Sequence, residues 1–258
     1  MHLRADHAET NIPTLQQLIH DNPLGILTTA IKSEQAFIQS SHIPFVLDVP
    51  SSNDDDSETP LGVLRGHMAK QNPQAKALME ALAQQSQSQD SETLELPDEV
   101  LVLFNVPHHH YVTPKFYTET KPVSGKVVPT WNYAAAQAYG KIRIYCNSKS
   151  EETGNFLQRQ IEDLSQHAET SQMGYTGGEK PTAWSVDEAP LSYVELLKKN
   201  IIGIEIRIER LQGKFKMSQE MGRGDREGVV KGFGELGTDI GDGMARMVKE
   251  RGEIKDRR

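Results

Sequence analysis

The sequence contains one cysteine, few aromatic residues and no long apolar run, and each shortage excludes a class of protein. With Cys146 as the only cysteine among 258 residues, no intramolecular disulfide can form, which favours a reducing compartment. No segment approaches about 18 consecutive apolar residues, and residues 1–6 lack the hydrophobic core of a signal peptide. The sequence therefore predicts a cytoplasmic protein without a membrane segment.

Charge and length set further limits. The net charge is −8, and an acidic surface repels phosphate backbones, so DNA binding by the protein surface as a whole is not favoured. The length fits one domain with helical additions. We expect a main domain over residues 1–235, mostly helical within 148–200. Residues 236–258 are rich in glycine and charge, which predicts a flexible tail whose removal leaves the fold intact.

Hydrophobic periodicity predicts six or seven strands with helices inserted between them, an α+β pattern. The predicted strands cover residues 24–31, 36–48, 61–68, 100–106, 140–146 and 202–208, with a turn at Gly213 and a further strand over 214–218. Helices are predicted over 13–21, after Asn72-Pro73, behind a capping box of Ser148 and Glu151, and over 191–200. Residues 51–60 and 84–91 read as a surface loop and a disordered segment. Closing such a sheet into a closed or split barrel removes its exposed edges.

Polar residues interrupt two neighbouring predicted strands and form a candidate cationic corner: His42, Pro44, Arg65, Gly66, His67 and Lys70. Cationic and hydrogen-bonding side chains of this kind suit a phosphate group. Gly66 would let a ligand approach the backbone closely. Histidines among apolar strand residues are also common in cores and interfaces, so the residues alone leave both interpretations open.

Two later segments offer aromatic and cationic groups. Trp131 and Asn132 lie in Thr130–Tyr133, where a planar ligand could stack, although the start of a core helix is the simpler interpretation. Lys214 and Lys216 alternate with apolar residues, which fits either an anion-binding strand or an ordinary solvated strand face.

Three further motifs give only weak indications of function. Residues 232–237 match a GxGxxG pattern but lack a preceding strand, so a dinucleotide site is not favoured. The run His108–His110 supplies two ligands on one strand face, too few for a metal site, and we expect none. Cys146 shares a strand face with Ile142 and Ile144, which favours packing over nucleophilic chemistry.

Several of these segments, in this order, resemble the PaiB family of FMN-binding split-barrel proteins. The resemblance covers about residues 1–235. It rests on residues 41–44 (SHIP), 64–67 (LRGH), 72–73 (NP), 107–114 (PH with YVTP), 126–135 (KVVPTWNYAA) and 213–219 (GKFKMSQ). The last two blocks are the most specific. The chain departs from the family in its long 51–60 and 84–95 segments, in Glu220-Met221, and beyond residue 235.

The resemblance implies a split barrel that pairs into a homodimer, with a pocket for FMN at the subunit interface. It places Arg65, His67 and Lys70 near the phosphate and His42 and Trp131 near the ring system. Lys214 and Lys216 are weaker candidates from a neighbouring strand or subunit. Flavin-dependent oxidoreduction is the first function implied. The alternatives are a transcriptional regulator without catalysis, with the locally basic residues 246–258 offering weak support for DNA contact, and haem binding or degradation through His42, His67 or His108–His110.

Overall fold

The computed structural model describes residues 1–50, 59–88 and 94–257. The predicted 51–60 loop and the second half of the predicted disordered segment fall mainly outside these ranges. The described strands are β1 (Ala8–Glu9), β2 (Leu24–Ala30), β3 (Ile38–Pro44), β4 (Val46–Asp48), β5 (Val63–Ala69), β6 (Glu95–Asn105), β7 (His110–Val112), β8 (Thr130–Tyr145) and β9 (Ile201–Lys216). The helices are α1 (Ile12–Asp21), α2 (Pro73–Ser88), α3 (Thr120–Ser124), α4 (Glu151–His167), α5 (Leu191–Lys198), α6 (Arg223–Gly234) and α7 (Asp239–Asp256).

The chain divides into two compact units. The first unit comprises Met1–Leu15, Asn105–Ala136 and Gln212–Arg258, and the second comprises Gln16–Phe104 and Gln137–Leu211. The long strands β8 and β9 contribute residues to both units.

The second unit is built on a sheet with the strand order β3-β2-β6-β8-β9-β5-β4. Only Phe45 separates β3 from β4, so the two end strands of this order are parts of one chain segment. The first part pairs antiparallel with β2 and the second pairs antiparallel with β5. The sheet therefore returns on itself, and the predicted α+β split-barrel class is confirmed.

Alternating strand residues fill the interior of this barrel. Ile202, Ile204, Ile206 and Ile208 on β9 are all buried, as the period-two pattern of the sequence predicted. Leu64 on β5 and the ring of Phe45 are also fully buried, and the Phe45 ring meets Phe104 edge to face with centroids 6.0 Å apart. The apolar face of β9 is covered within the second unit.

Several element boundaries differ from the sequence expectation. The strand β9 continues through Gly213 without a turn, and this glycine leaves space for Leu15, because a Cβ atom there would lie 2.1 Å from the leucine Cδ2. Residues 130–133 begin the strand β8 rather than a helix. The N-cap of α4 is Ser150, not Ser148, and residues 84–88 belong to α2.

In the first unit, α6 and α7 form an antiparallel helical hairpin. Arg226, near the start of α6, donates two hydrogen bonds of 2.6 and 2.7 Å to the carboxylate of Asp256 at the end of α7. Val229, Phe233, Met244 and Val248 are fully buried. The expectation of a flexible tail over 236–258 therefore differs from the structure, in which most of this segment is helix α7.

Glycines in the hairpin serve close packing rather than flexibility. A Cβ atom on Gly232 would lie 2.3 Å from the ring of Phe116, and one on Gly243 would lie 2.3 Å from the ring of His108. The GxGxxG pattern at 232–237 spans the end of α6 and the turn toward α7, where Gly237 has φ of +62°. The glycine content that suggested disorder instead permits side chains to contact the helix backbones.

No helix in the described ranges 1–50, 59–88 and 94–257 combines the length and apolar character needed to cross a bilayer.

Candidate functional site

The two most specific sequence blocks, 126–135 and 213–219, contact each other in the first unit. Lys216 on β9 donates a hydrogen bond from Nζ to the backbone oxygen of Trp131 at 2.9 Å, and a second, very short one to Thr130 Oγ1. Asn132 Nδ2 donates to Ser218 Oγ at 3.0 Å. The start of β8 and the end of β9 are thus joined by side chains from both blocks.

Asn132 is a buried residue that supports the turn after β9. Its side chain and that of Ser218 are fully buried, so Asn132 cannot reach a ligand at the surface in this structure. Ser218 has φ of +61°, a left-handed conformation that is uncommon for residues with a side chain. The hydrogen bond from Asn132 holds the Ser218 side chain in this turn. Strained residues of this kind often lie beside functional sites.

Trp131 is half exposed yet fixed in orientation. Its relative exposure is 50%, and its backbone oxygen is held by Lys216. Its indole Nε1 donates to His109 Nδ1 at 3.3 Å, and the Tyr111 ring lies edge-on with centroids 6.3 Å apart. A large exposed ring that is already ordered loses little entropy when a ligand stacks on it.

Two lysines lie beside this aromatic group. Lys214 Nζ lies 5.4 Å from the ring centroid of Tyr133. Burial, the largest cause, lowers the pKa of Lys216; Glu220 opposes this shift, whereas Lys214 and Arg4 add to it. We call Tyr111, Trp131, Tyr133, Lys214 and Lys216 the cationic–aromatic face.

An acidic group behind Lys216 was missed at the sequence level. The Glu220 carboxylate accepts a hydrogen bond from the buried His7 ring, at 2.9 Å between Oε2 and Nε2. Burial alone would raise the pKa of Glu220, but the hydrogen bond with His7 is among the interactions that lower it overall. These residues are 213 positions apart, so no sequence spacing indicates the pair.

Arg65, predicted to bind phosphate, is engaged with protein groups in the second unit. Its relative exposure is 2%, and its guanidinium donates to both oxygens of Asp48 at 2.6 and 2.8 Å. It also donates to Asp163 at 2.6 Å and to Gln160 at 3.3 Å. Burial acts to lower the pKa of Arg65, but the hydrogen bonds to Asp48 and Asp163 raise it overall. This geometry gives Arg65 a structural position under α4.

Gly66 and His67 point to opposite sides of β5. A Cβ atom on Gly66 would lie 3.0 Å from the Phe45 ring and 3.1 Å from Ile43, so Gly66 faces the packed interior. Its small size serves packing there. His67 lies on the same strand face as Arg65. Burial lowers the pKa of His67, and its buried Nδ1 has no hydrogen-bond partner among the described residues.

The remaining predicted residues are dispersed around the second unit. His42 is exposed on β3, opposite Ile26 of β2. Pro44 ends β3, and Lys70 follows β5, where its backbone N–H bonds to the carbonyl of Asn200 at 2.9 Å. The structure therefore groups Trp131, Asn132, Lys214 and Lys216, and places the other six candidates in the second unit on several faces.

The three consecutive histidines take three different positions. The His108 ring packs at Gly243 of α7, and the His110 ring lies 5.6 Å from that of Phe233. His109 contacts Trp131. Within the part of the chain that the structure describes, no group of three or more His, Cys, Asp or Glu residues is arranged to hold a metal ion.

A protein-family model described as "Putative FMN-binding domain" matches residues 1–210, most of the chain. The chain belongs to this family. FMN is therefore the cofactor indicated for this chain. Helices α6 and α7 lie beyond the matched range.

The chain is also similar to individual proteins and to solved structures. An uncharacterized protein of Aspergillus fumigatus is 70% identical over 261 residues and covers 100% of both chains. The protease synthase and sporulation protein PAI 2 of Bacillus subtilis is 25% identical over 222 residues, covering 86% of this chain and 84% of the relative, which confirms the PaiB-like resemblance. A conserved hypothetical protein of Mycobacterium tuberculosis has a similar structure at 12% identity and a TM-score of 0.47, with coverage of 86% and 95%.

The cationic–aromatic face fits an FMN molecule in its chemistry. FMN combines a planar ring with a phosphate, and the face combines an ordered, exposed indole with two lysines of the same strand. Arg65 fits the phosphate poorly, because its donors are already satisfied by two carboxylates and an amide.

Proposed function

We propose that this protein binds FMN on the cationic–aromatic face, with Trp131 contacting the ring system and Lys214 and Lys216 contacting the phosphate. The observation that supports this most is the fixation of the exposed Trp131 through both its backbone oxygen and its indole N–H. A preorganised indole next to two ammonium groups favours a planar, phosphorylated ligand.

The residues of the face have separable tasks in this proposal. Lys216 fixes the start of β8 while presenting positive charge, and Lys214 adds charge on the same strand. Asn132 and Ser218 set the turn that follows β9. FMN, when bound, supplies electron-transfer chemistry, which supports a flavin-dependent oxidoreductase.

Removing the lysine charges should separate phosphate recognition from ring recognition. We expect Lys214→Met to weaken FMN binding by about ten- to a hundredfold, because a charge-assisted contact contributes roughly 1.5–3 kcal/mol. Riboflavin lacks the phosphate and should lose much less. Isothermal titration of both ligands with Lys214→Met measures this difference, and the exposed Lys121→Met is the matched control. Lys216→Met should weaken binding of both ligands, because Lys216 also holds the backbone oxygen of Trp131.

Equal losses of FMN and riboflavin affinity in Lys214→Met would show that Lys214 does not contact the phosphate. The absorbance spectrum of the purified, FMN-treated protein tests the function itself. Two broad flavin bands in the blue and near-ultraviolet are expected. A protein that retains no flavin contradicts the proposal, and a sharp Soret band would identify haem instead.

We further infer a homodimer formed through α5. Leu191, Tyr193, Leu196 and Leu197 of this short helix are exposed, whereas Val194 alone is its buried residue. Four exposed large apolar side chains on eight residues favour cover by a second copy. The apolar face of β9, which first suggested a dimer, is already covered inside the second unit.

A charge on α5 should dissociate this dimer. Leu196→Glu is expected to shift the sedimentation coefficient from dimer to monomer at micromolar concentration, because a buried, unpaired carboxylate is costly. Ser192→Glu, on an exposed polar position of the same helix, should leave the dimer intact. A monomeric unaltered protein, or two equally dimeric variants, would contradict an α5 interface.

A DNA-binding regulator has less support than flavin binding. The antiparallel arrangement of α6 and α7 differs from the near-perpendicular helices of a helix-turn-helix. Basic residues of the last helix contact protein groups: Arg251 binds Glu9, and Lys255 binds the carbonyl oxygen of Gln219. The single cysteine supports a cytoplasmic location, where thiols stay reduced.

A further inference from the structure

The contact between His109 and Trp131 defines the protonation pattern of the histidine. An indole Nε1–H can only donate a hydrogen bond, so the His109 Nδ1 that lies 3.3 Å away must be an unprotonated acceptor. A neutral imidazole carries one proton, which therefore resides on Nε2. The interaction with Trp131 thus selects the Nε2–H tautomer, as hydrogen-bond partners commonly do for histidine.

His109 differs from its two neighbours in accessibility. It is exposed, whereas His108 and His110 are half buried and pack against Gly243 and Phe233 in the helical hairpin. The ring centroids of His109 and Trp131 are 6.1 Å apart at 34°, so the imidazole lies beside the indole rather than on its face. A ligand that stacks on Trp131 would bring its edge toward the imidazole.

We propose that His109 is a ligand-binding residue of the cationic–aromatic face, which donates its Nε2–H to an acceptor at the edge of the stacked ring. A ring carbonyl oxygen or an unprotonated ring nitrogen is the acceptor chemistry required, and the flavin ring offers both. This inference rests on the proposed flavin function and adds a donor to the aromatic and cationic groups. Trp131 thereby has two roles, as the stacking surface and as the group that orients His109.

The tautomer can be measured without any ligand. In ¹⁵N-labelled protein at neutral to alkaline pH, the imidazole nitrogen shifts of His109 should show a protonated Nε2 and an unprotonated Nδ1. In Trp131→Phe, which keeps an aromatic ring but removes the N–H, the preference for this tautomer should fall. A dominant Nδ1–H form in the unaltered protein would overturn the inference.

The donor role is tested by flavin affinity in two backgrounds. His109→Ala should weaken FMN binding by about 2- to 12-fold, the loss of one neutral hydrogen bond. The same substitution in Trp131→Phe should still weaken binding, because His109 contacts the ligand directly. His109→Gln, whose amide can donate at the ring edge, should restore part of the affinity, and the exposed His2→Ala is the matched control.

The outcomes distinguish this inference from the proposed function. If His109→Ala has no effect in the Trp131→Phe background, and His109→Gln restores no affinity when Trp131 is present, His109 acts only by positioning the indole, and the donor role is overturned. If His109→Ala has no effect in either background while FMN binds, the histidine is not part of the site. If the unaltered protein binds no FMN, the proposed function itself fails.

Discussion

Deletion of residues 238–258 is expected to lower the melting temperature by roughly 6 to 24 °C. The deletion removes α7, whose Met244 and Val248 are fully buried against α6. Burying each such side chain contributes about 1.5–3 kcal/mol, so the loss is about 3–6 kcal/mol. One kcal/mol corresponds to about 2–4 °C in a chain of this size. Sequence composition alone predicted no effect.

Further contacts of α7 also contribute to stability. Arg251 donates to Glu9 at 2.5 Å and lies 3.4 Å from the Phe215 ring centroid, and Asp256 accepts from the buried Arg226. The truncation leaves Glu9 and Arg226 without these partners, which adds to the cost. Differential scanning calorimetry measures the change, with deletion of residues 257 and 258 as the control. An unchanged melting temperature would show that α7 contributes nothing to stability.

Replacing Arg65 with alanine is expected to cost about 3 kcal/mol of unfolding free energy, the low end of the range for a broken buried ion pair. Arg65 is 2% exposed, and its loss leaves Asp48 and Asp163 without their main cation. Both carboxylates are partly exposed, so water compensates in part. Urea denaturation measures the change.

Arg159 supplies a matched control for Arg65. It contacts the same two carboxylates, at 3.2 Å to Asp48 and 3.4 Å to Asp163, but its side chain is 64% exposed. Arg159→Ala should therefore cost no more than about 1 kcal/mol. Any effect of Arg65→Ala on ligand affinity should be equal for FMN and riboflavin. A selective loss of FMN affinity without destabilisation would show that Arg65 binds the phosphate.

The barrel was predictable because its strands obey a local rule. Ile202, Ile204, Ile206 and Ile208 alternate with polar residues, and the structure buries all four. The continuity of residues 36–48 also anticipated the chain segment that forms both β3 and β4. Such signals depend on near neighbours in the sequence, which the chain itself displays.

The site and the tail were less predictable because they depend on distant partners. Arg65 was predicted to bind phosphate, because no sequence spacing indicates its hydrogen bond to Asp163, 98 residues later. The glycines of residues 236–258 suggested flexibility, yet the ring of His108 fills the space beside Gly243, as that of Phe116 does beside Gly232 in the preceding helix. Whether a glycine permits close packing or flexibility depends on which residues lie next to it in the fold. Amino-acid composition does not give this information.

The first unit is formed by three separate segments of the chain, which affects how it folds during synthesis in the cell. This unit combines Met1–Leu15, Asn105–Ala136 and Gln212–Arg258, so it cannot assemble before its last segment has left the ribosome. Lys214 and Lys216 emerge about 80 residues after Trp131. Cofactor loading on the proposed face would therefore follow the emergence of β9, and the nascent protein would depend on the second unit for its early structure.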